Sequence, residues 1–368
     1  LFSFQQLPYV LSDLRGLLEN FQLGMTMKKL HFALAVAGAL AGAAHAQSNV
    51  DIYGIVDMGF VRETGNVGTS VAGGNKLTSG AQSGTRLGFK GTEDLGGGLK
   101  ALLVLETGIA ADKGGFNQVN TAFARQSFVG LQNDLGTLTL GRQYTSYFLT
   151  LNQVADPFAS GLAGNSTNLM MPFTSTEADR ALRMNNAVKY ATPLSSPFSG
   201  EIAYGFGEDT TNSSTNRVIT GAVGYNTKEL NVRLAYYRKD SAPGTSNITS
   251  TMLAANYDFG VAKAFAAVSD NDWATQGKSR NYLLGATVPF GAYNFIASYI
   301  KADGRGANAA KDADQYGVGV TYSLSKRTNL YAAYGYIDNS GGALYTVGNN
   351  SESGTSNKAF NLGVRHMF

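Results

Sequence analysis

The sequence predicts an all-β fold, a sixteen-stranded antiparallel transmembrane β-barrel, on three observations. Segments of about ten residues alternate apolar and polar side chains, the period expected of strands with lipid on one face and water on the other. These segments number sixteen, an even count, and their connections alternate short and long. Beyond residue 46 there is no run of 18 apolar residues, so the only route across lipid is a closed barrel.

The chain opens with material that does not belong to the barrel. Met27-Lys28-Lys29 is a short basic stretch, Leu30 to Ala41 a short apolar one, and Ala44-His45-Ala46 carries the small residues that a signal peptidase reads. Residues 27–46 are therefore expected to be a secretory signal peptide, and 1–26 an untranslated or mis-assigned upstream extension. The apolar stretch is too short for a spanning helix, which needs about 20 residues. The mature chain is expected over 47–368 as one domain. Losing Arg15, Lys28, Lys29, Asp13 and Glu19 leaves it 26 basic and 24 acidic residues, a net charge of +2, with His366 as its one histidine.

Strands are expected near 49–61, 82–91, 99–106, 121–132, 137–145, 186–193, 200–207, 217–226, 230–239, 248–259, 261–270, 279–289, 293–301, 313–324, 328–338 and 357–368. Leu253, Ala255, Tyr257 and Phe259 alternate with Met252, Ala254, Asn256 and Asp258. Tyr316, Val318, Val320 and Tyr322 alternate with Gln315, Gly317, Gly319 and Thr321. A soluble sandwich also alternates. Two details favour the barrel: Arg, Asn and Gln on the polar face, as a wet lumen requires, and Tyr and Phe crowding the strand ends, as interfacial girdles do.

Short connections such as Asn133–Gly136 and Phe290–Ala292 fit periplasmic turns, and long ones such as Arg62–Ala81, Thr107–Asn120 and Asn339–Ser356 fit external loops. Ser146 to Asn185 lacks alternation and far exceeds the roughly 15 residues beyond which a loop is usually functional or disordered. Its Asp156-Pro157-Phe158, Met170, Met171 and Phe173 suit a folded loop packed against something.

The composition excludes several kinds of chemistry. Among 368 residues there is no Cys, hence no disulfide framework, thiolate metal site or cysteine nucleophile. A net charge of +3 gives no sign of a nucleic-acid surface. One mature histidine, on the last strand, cannot supply a triad. Gly277-Lys278-Ser279 ends like a phosphate loop, but Asp272 occupies the first glycine's place and a strand follows. No enzyme activity and no cofactor are expected.

What remains is a set of arginines. In Ser83-Gly84-Thr85-Arg86-Leu87-Gly88-Phe89-Lys90, the apolar Leu87 and Phe89 face lipid, which turns Arg86, Gly88 and Lys90 inward. A cation facing lipid at mid-depth would cost roughly 2–4 kcal/mol. Arg125, Arg142 and Arg183 also lie on or beside strands in the first half of the chain.

With these residues in view, the sequence resembles the trimeric general porins of Gram-negative bacteria, of the β-proteobacterial and neisserial type. The likeness spans 47–368 and rests on Asn49-Val50-Asp51-Ile52-Tyr53-Gly54, on Thr85 through Ala101, on Phe123-Ala124-Arg125-Gln126-Ser127-Phe128-Val129-Gly130-Leu131, on Gly136 through Gln143, on Leu324 through Tyr331 and on Gly363 through Phe368. The resemblance implies a homotrimeric outer-membrane channel whose third external loop, roughly Ser146 to Asp179, folds inward and narrows the lumen. It places a basic ladder on Arg86, Arg125 and Arg183, with Arg142 joining or supporting it. The sequence departs at Gln126, where some relatives carry a second arginine. Asp156, Glu177, Asp179 and Glu106 are the candidate carboxylates across the gap. The terminal Phe368 resembles the signal read by barrel-assembly machinery, and outer-membrane lipid and lipopolysaccharide are the implied surroundings.

The expectation is passive diffusion of small hydrophilic solutes and ions with a mild anion preference. A substrate-specific channel of the same architecture is the alternative. From other classes, an adhesin would need longer loops or a passenger domain, and a barrel hydrolase would need a base the chain lacks.

Overall fold

A computed structural model describes residues 49–368 apart from 69, 119–120, 172–180, 194, 242–246 and 274–276, and of 70–73 the backbone alone. The expected signal peptide and upstream extension lie outside the described residues.

Among the described residues, eighteen strand segments form one sheet. β1 (Asn49–Val67), β2 (Ser70–Ser79), β3 (Arg86–Gly96), β4 (Leu99–Ala110), β5 (Gly115–Phe116), β6 (Gln126–Asn133), β7 (Gly136–Tyr144), β8 (Arg183–Ala191) and β9 (Phe198–Gly205) make the first half. β10 (Val218–Asn226), β11 (Leu230–Lys239), β12 (Ile248–Asp258), β13 (Lys263–Trp273), β14 (Lys278–Phe290), β15 (Tyr293–Arg305), β16 (Ala313–Ser323), β17 (Thr328–Asn339) and β18 (Lys358–Met367) make the second. β2 and β3 lie end to end against β1 and share one stave, and β5 is a two-residue pairing on the end of β4, so the wall has sixteen staves. Every neighbouring pair is antiparallel, and β1 pairs with β18 from Ile55↔Met367 to Thr64↔Lys358, which closes the ring. Closure leaves no backbone edge to face lipid unbonded.

The two faces sort as the alternation predicts. On β12, Met252, Ala254 and Asn256 are buried inside, while Leu253 and Tyr257 are 48% and 42% exposed outside. Outward aromatics form two rows. Tyr322, Tyr293 and Phe295 touch near the short turns, and Tyr299, Tyr316 and Tyr336 touch nearer the long loops. Rings with one apolar and one wet end suit these two interfaces. His366 faces outward on β18 with Nδ1 2.9 Å from Thr328 Oγ1, a position at the rim of the wall.

One expected loop is a strand pair. Arg62 to Ala81 was expected to be a loop, but β1 runs on to Val67 and returns through β2. The hairpin is held by backbone pairing and by an ion pair between Lys76 and Glu63 across it. Arg62, Glu63, Thr64 and Asn66 present no apolar alternation because this part stands beyond the lipid, so the sequence signal is missing.

The segment after β7 folds inward, as the resemblance implied. Thr145 caps helix α1 (Ser146–Thr150) by accepting from Phe148 N–H at 3.1 Å, a π-helical turn follows over Leu151–Ala155, and α2 (Thr167–Met170) comes later. Tyr147, Leu151, Val154, Met170 and Met171 are buried against the inner wall residues Ala222, Ala235, Met252, Ala254, Leu283 and Ile300. Burying each large apolar side chain contributes roughly 1.5–3 kcal/mol. Glycines on the inner wall make room for the loop. A Cβ on Gly317 would stand 2.6 Å from Gly164 Cα, and one on Gly335 2.1 Å from the Ala163 carbonyl oxygen.

Candidate constriction site

The break between β2 and β3 positions the first arginine. After Gly80 (φ +81°) the chain leaves the wall and turns into the lumen over residues 80–85. Asp57, fully buried on β1, holds this crook: its carboxylate accepts from Gln82 N–H at 2.7 Å and Ser83 N–H at 2.6 Å, and from the Tyr331 hydroxyl at 2.6 Å. Arg86 starts β3 beyond it and donates Nε–H to the Gly84 carbonyl at 2.8 Å.

Arg125, just before β6, meets two partners. Its Nε donates to Glu106 Oε1 at 2.7 Å and its Nη2 to the Tyr144 hydroxyl at 2.7 Å. Arg183, opposite Tyr144 in the β7–β8 register, donates Nη2–H to the same hydroxyl at 3.1 Å and lies 4.7 Å above its ring. Arg86 Nη1 is 3.9 Å from Glu106 Oε2, and Tyr53 donates its hydroxyl to that oxygen at 3.0 Å. Three guanidinium groups thus share one carboxylate and one tyrosine oxygen, and the cluster keeps two net positive charges. Arg142 flanks it, with Nε on the Ala124 carbonyl at 2.6 Å and Nη1 on Asn185 Oδ1.

The acidic residues are placed differently from the expectation. Glu106 does not face the ladder across a gap. It lies on β4, beside the strands that carry the arginines, and is the anchor that Arg125 and Arg86 share. Asp156 does not face water. It is 3% exposed, and its carboxylate accepts from Phe158 N–H, Ser160 N–H, Ser166 N–H and Ser166 Oγ–H at 2.8–3.0 Å, so it shapes the inward loop from within. Burial pushes its carboxyl upward, and the Ser166 and Phe158 hydrogen bonds oppose that shift. Glu177 and Asp179 lie outside the described residues.

Two members of the cluster were not foreseen. Tyr53 faces Gly88 across the β1–β3 register, where a Cβ would stand 2.4 Å from the tyrosine ring, a pairing visible only once the register is set. Tyr144 had no signal beyond its place two residues after Arg142. Below the loop, toward the short turns, a recess of about 740 Å³ is lined by Gln126, Thr139, Gln143, Lys189 and Glu201. Glu201 is paired there with Lys189 at 2.8 Å and Arg233 at 3.0 Å. Among the described residues no cluster has the makings of a metal site.

Residues 33–342 match the family described as "Gram-negative porin". The chain belongs to the Gram-negative porin family. It is 33% identical over 373 residues to outer membrane porin protein 32 of Delftia acidovorans, covering 93% of this chain and 100% of that one. An outer membrane porin protein of Bordetella pertussis is 31% identical over 405 residues, again covering 93% and 100%. Among solved structures, an anion-selective porin from Comamonas acidovorans superposes with a TM-score of 0.76 at 30% identity, over 88% of this porin and 100% of that chain. This porin is accordingly a channel-forming protein of the Gram-negative outer membrane.

Proposed function

We propose that the channel passes small hydrophilic solutes and ions down their gradients, with a mild preference for anions set by Arg86, Arg125 and Arg183. The observation that carries this reading is the three-to-one balance of guanidinium to carboxylate around Glu106 and Tyr144. Low-dielectric protein around a narrow aqueous path focuses that field, and charge rings set ion preference without a gate or an energy source. The anion-selective relative, with its similar fold and 30% identity, supports the same direction.

Asp156 and Glu106 are committed to the inward loop and to the arginines themselves, so neither forms an acidic face opposite the ladder. Arg142 supports the ladder from its flank. The porin works as a homotrimer in lipid and lipopolysaccharide, exported by a signal peptide over 27–46 and recognised by barrel-assembly machinery through Phe368. Phe368 already exchanges backbone hydrogen bonds with Gly54 at 3.1 and 3.2 Å. It catalyses nothing.

Reversal potential across a potassium chloride gradient in a planar bilayer tests the reading. Anion preference is expected, and clear cation preference overturns it. Conductance that one solute blocks saturably would instead favour a substrate-specific channel.

A further inference from the structure

The connection from β17 to β18 enters the lumen instead of standing over it. Ala343, Val347, Asn349 and Ser356 are buried. Asn165 of the inward loop donates to the Gly348 carbonyl at 3.1 Å. The far side of this loop is fastened to the β1–β2 hairpin. Lys76 Nζ lies 2.7 Å from Glu63 Oε1 and 2.5 Å from Glu352 Oε2, Thr78 donates to Glu352 at 2.8 Å, and Thr355 donates N–H and hydroxyl to Glu63 at 2.8 and 2.6 Å.

Between these anchors stands Asn350. Its Oδ1 accepts from Gly84 N–H at 2.6 Å, its Nδ2 donates to the Ser160 carbonyl at 2.9 Å, and its own N–H reaches the Ala81 carbonyl at 3.3 Å. One side chain therefore ties the crook to the inward loop. The Gly84 unit it holds is also the one whose carbonyl receives Arg86 Nε–H. A Cβ on Gly84 would stand 2.9 Å from Arg125 Nη1 and 2.9 Å from Asn350 Oδ1. Arg86, Arg125 and Asn350 thus converge on one residue.

We propose that the 340–357 loop is a second selectivity element of this channel, and that Asn350 is a positioning residue that sets Arg86 and Arg125 through Gly84. This rests on the reading that the arginine cluster governs ion preference. Neither Asn350 nor Gly84 carries charge, so altering them removes no fixed charge from the lumen, and the contacts at Gly84 lead to Arg86 and Arg125. Gly84 does not occupy the left-handed region, so an alanine there meets crowding and not backbone strain.

The test is reversal potential for Asn350→Ala, Gly84→Ala, the double variant and Arg125→Gln as reference. Heat-dependent gel mobility confirms that each barrel is folded. Asn350→Ala and Gly84→Ala should each lose roughly half or more of the anion preference that Arg125→Gln loses. The double variant should lose no more than the larger single, because both act through one contact. If Arg125→Gln shifts the potential while the two neutral variants stay at wild type, or if their effects simply add, the proposal falls and the arginine reading stands. If Arg125→Gln shifts nothing, both fall. Should Asn350→Ala fail to assemble, Gly84→Ala against Arg125→Gln decides alone.

Discussion

Tyr144 shows how closely the arginine cluster depends on single atoms. Its hydroxyl oxygen accepts from Arg125 and Arg183 together, while its ring supports Arg183 from below. Tyr144→Phe keeps the ring and deletes the shared acceptor. Hydrogen bonds to charged groups are worth about 1.5–3 kcal/mol. The variant should therefore denature at a lower temperature than wild type in detergent, and an unchanged midpoint would show that water takes over the oxygen's role. At this scale the sequence was informative about residue type and face, less so about partners. The inward turn of Arg86 followed from lipid-facing Leu87 and Phe89. That Glu106 sits among the arginines, and that Asp156 is consumed by its own loop, followed from nothing local. Which carboxylate reaches which cation depends on strand register and on the loop's path.

Elements were the most legible level, because a membrane wall must alternate along every strand. β12, β15 and β17 fall within a few residues of their expected places. The failures share one cause: wherever backbone pairing or turning happens outside the lipid, no apolar face records it, as in the β1–β2 hairpin and the crook at 80–85. The inward loop was marked by missing alternation and by Met and aromatic residues, and its seat by small inner residues. Gly335→Val would drive a side chain into the Ala163 carbonyl and should lift the loop from the wall. Larger and noisier single-channel conductance is the expected result. An external contact responds to acid. Burial alone would raise the Asp240 carboxyl, but Arg238 at 2.6 Å and Arg217 at 2.7 Å outweigh it and hold it below the ordinary range. A depressed native value means the contact stabilises fully above the ordinary aspartate value, near pH 3.9, and is lost as pH falls through the native one. Acid-active protease should then cut the 206–217 connection faster below about pH 4, and a rate flat with pH would contradict this pairing.

For the whole molecule, the ring fixes the conclusion that net charge could not. A formal +3 over 368 residues says little about ions. The closed barrel gathers Arg86 from β3 and Arg125 from the approach to β6 around one carboxylate on β4, and Arg183 from β8 joins them through Tyr144 on β7. Two inward segments, 145–171 and 340–357, then meet the crook on the same side of the lumen. The fold was readable from alternation, while the arginine cluster appears only when β1, β3, β4, β7, β8 and the approach to β6 are brought together. The most direct test of the central claim is the reversal potential of Arg86→Gln, Arg125→Gln and Arg183→Gln, each measured beside wild type across the same salt gradient. Each substitution should move the potential from the anion side toward zero, whereas wild-type potentials in all three would contradict the account.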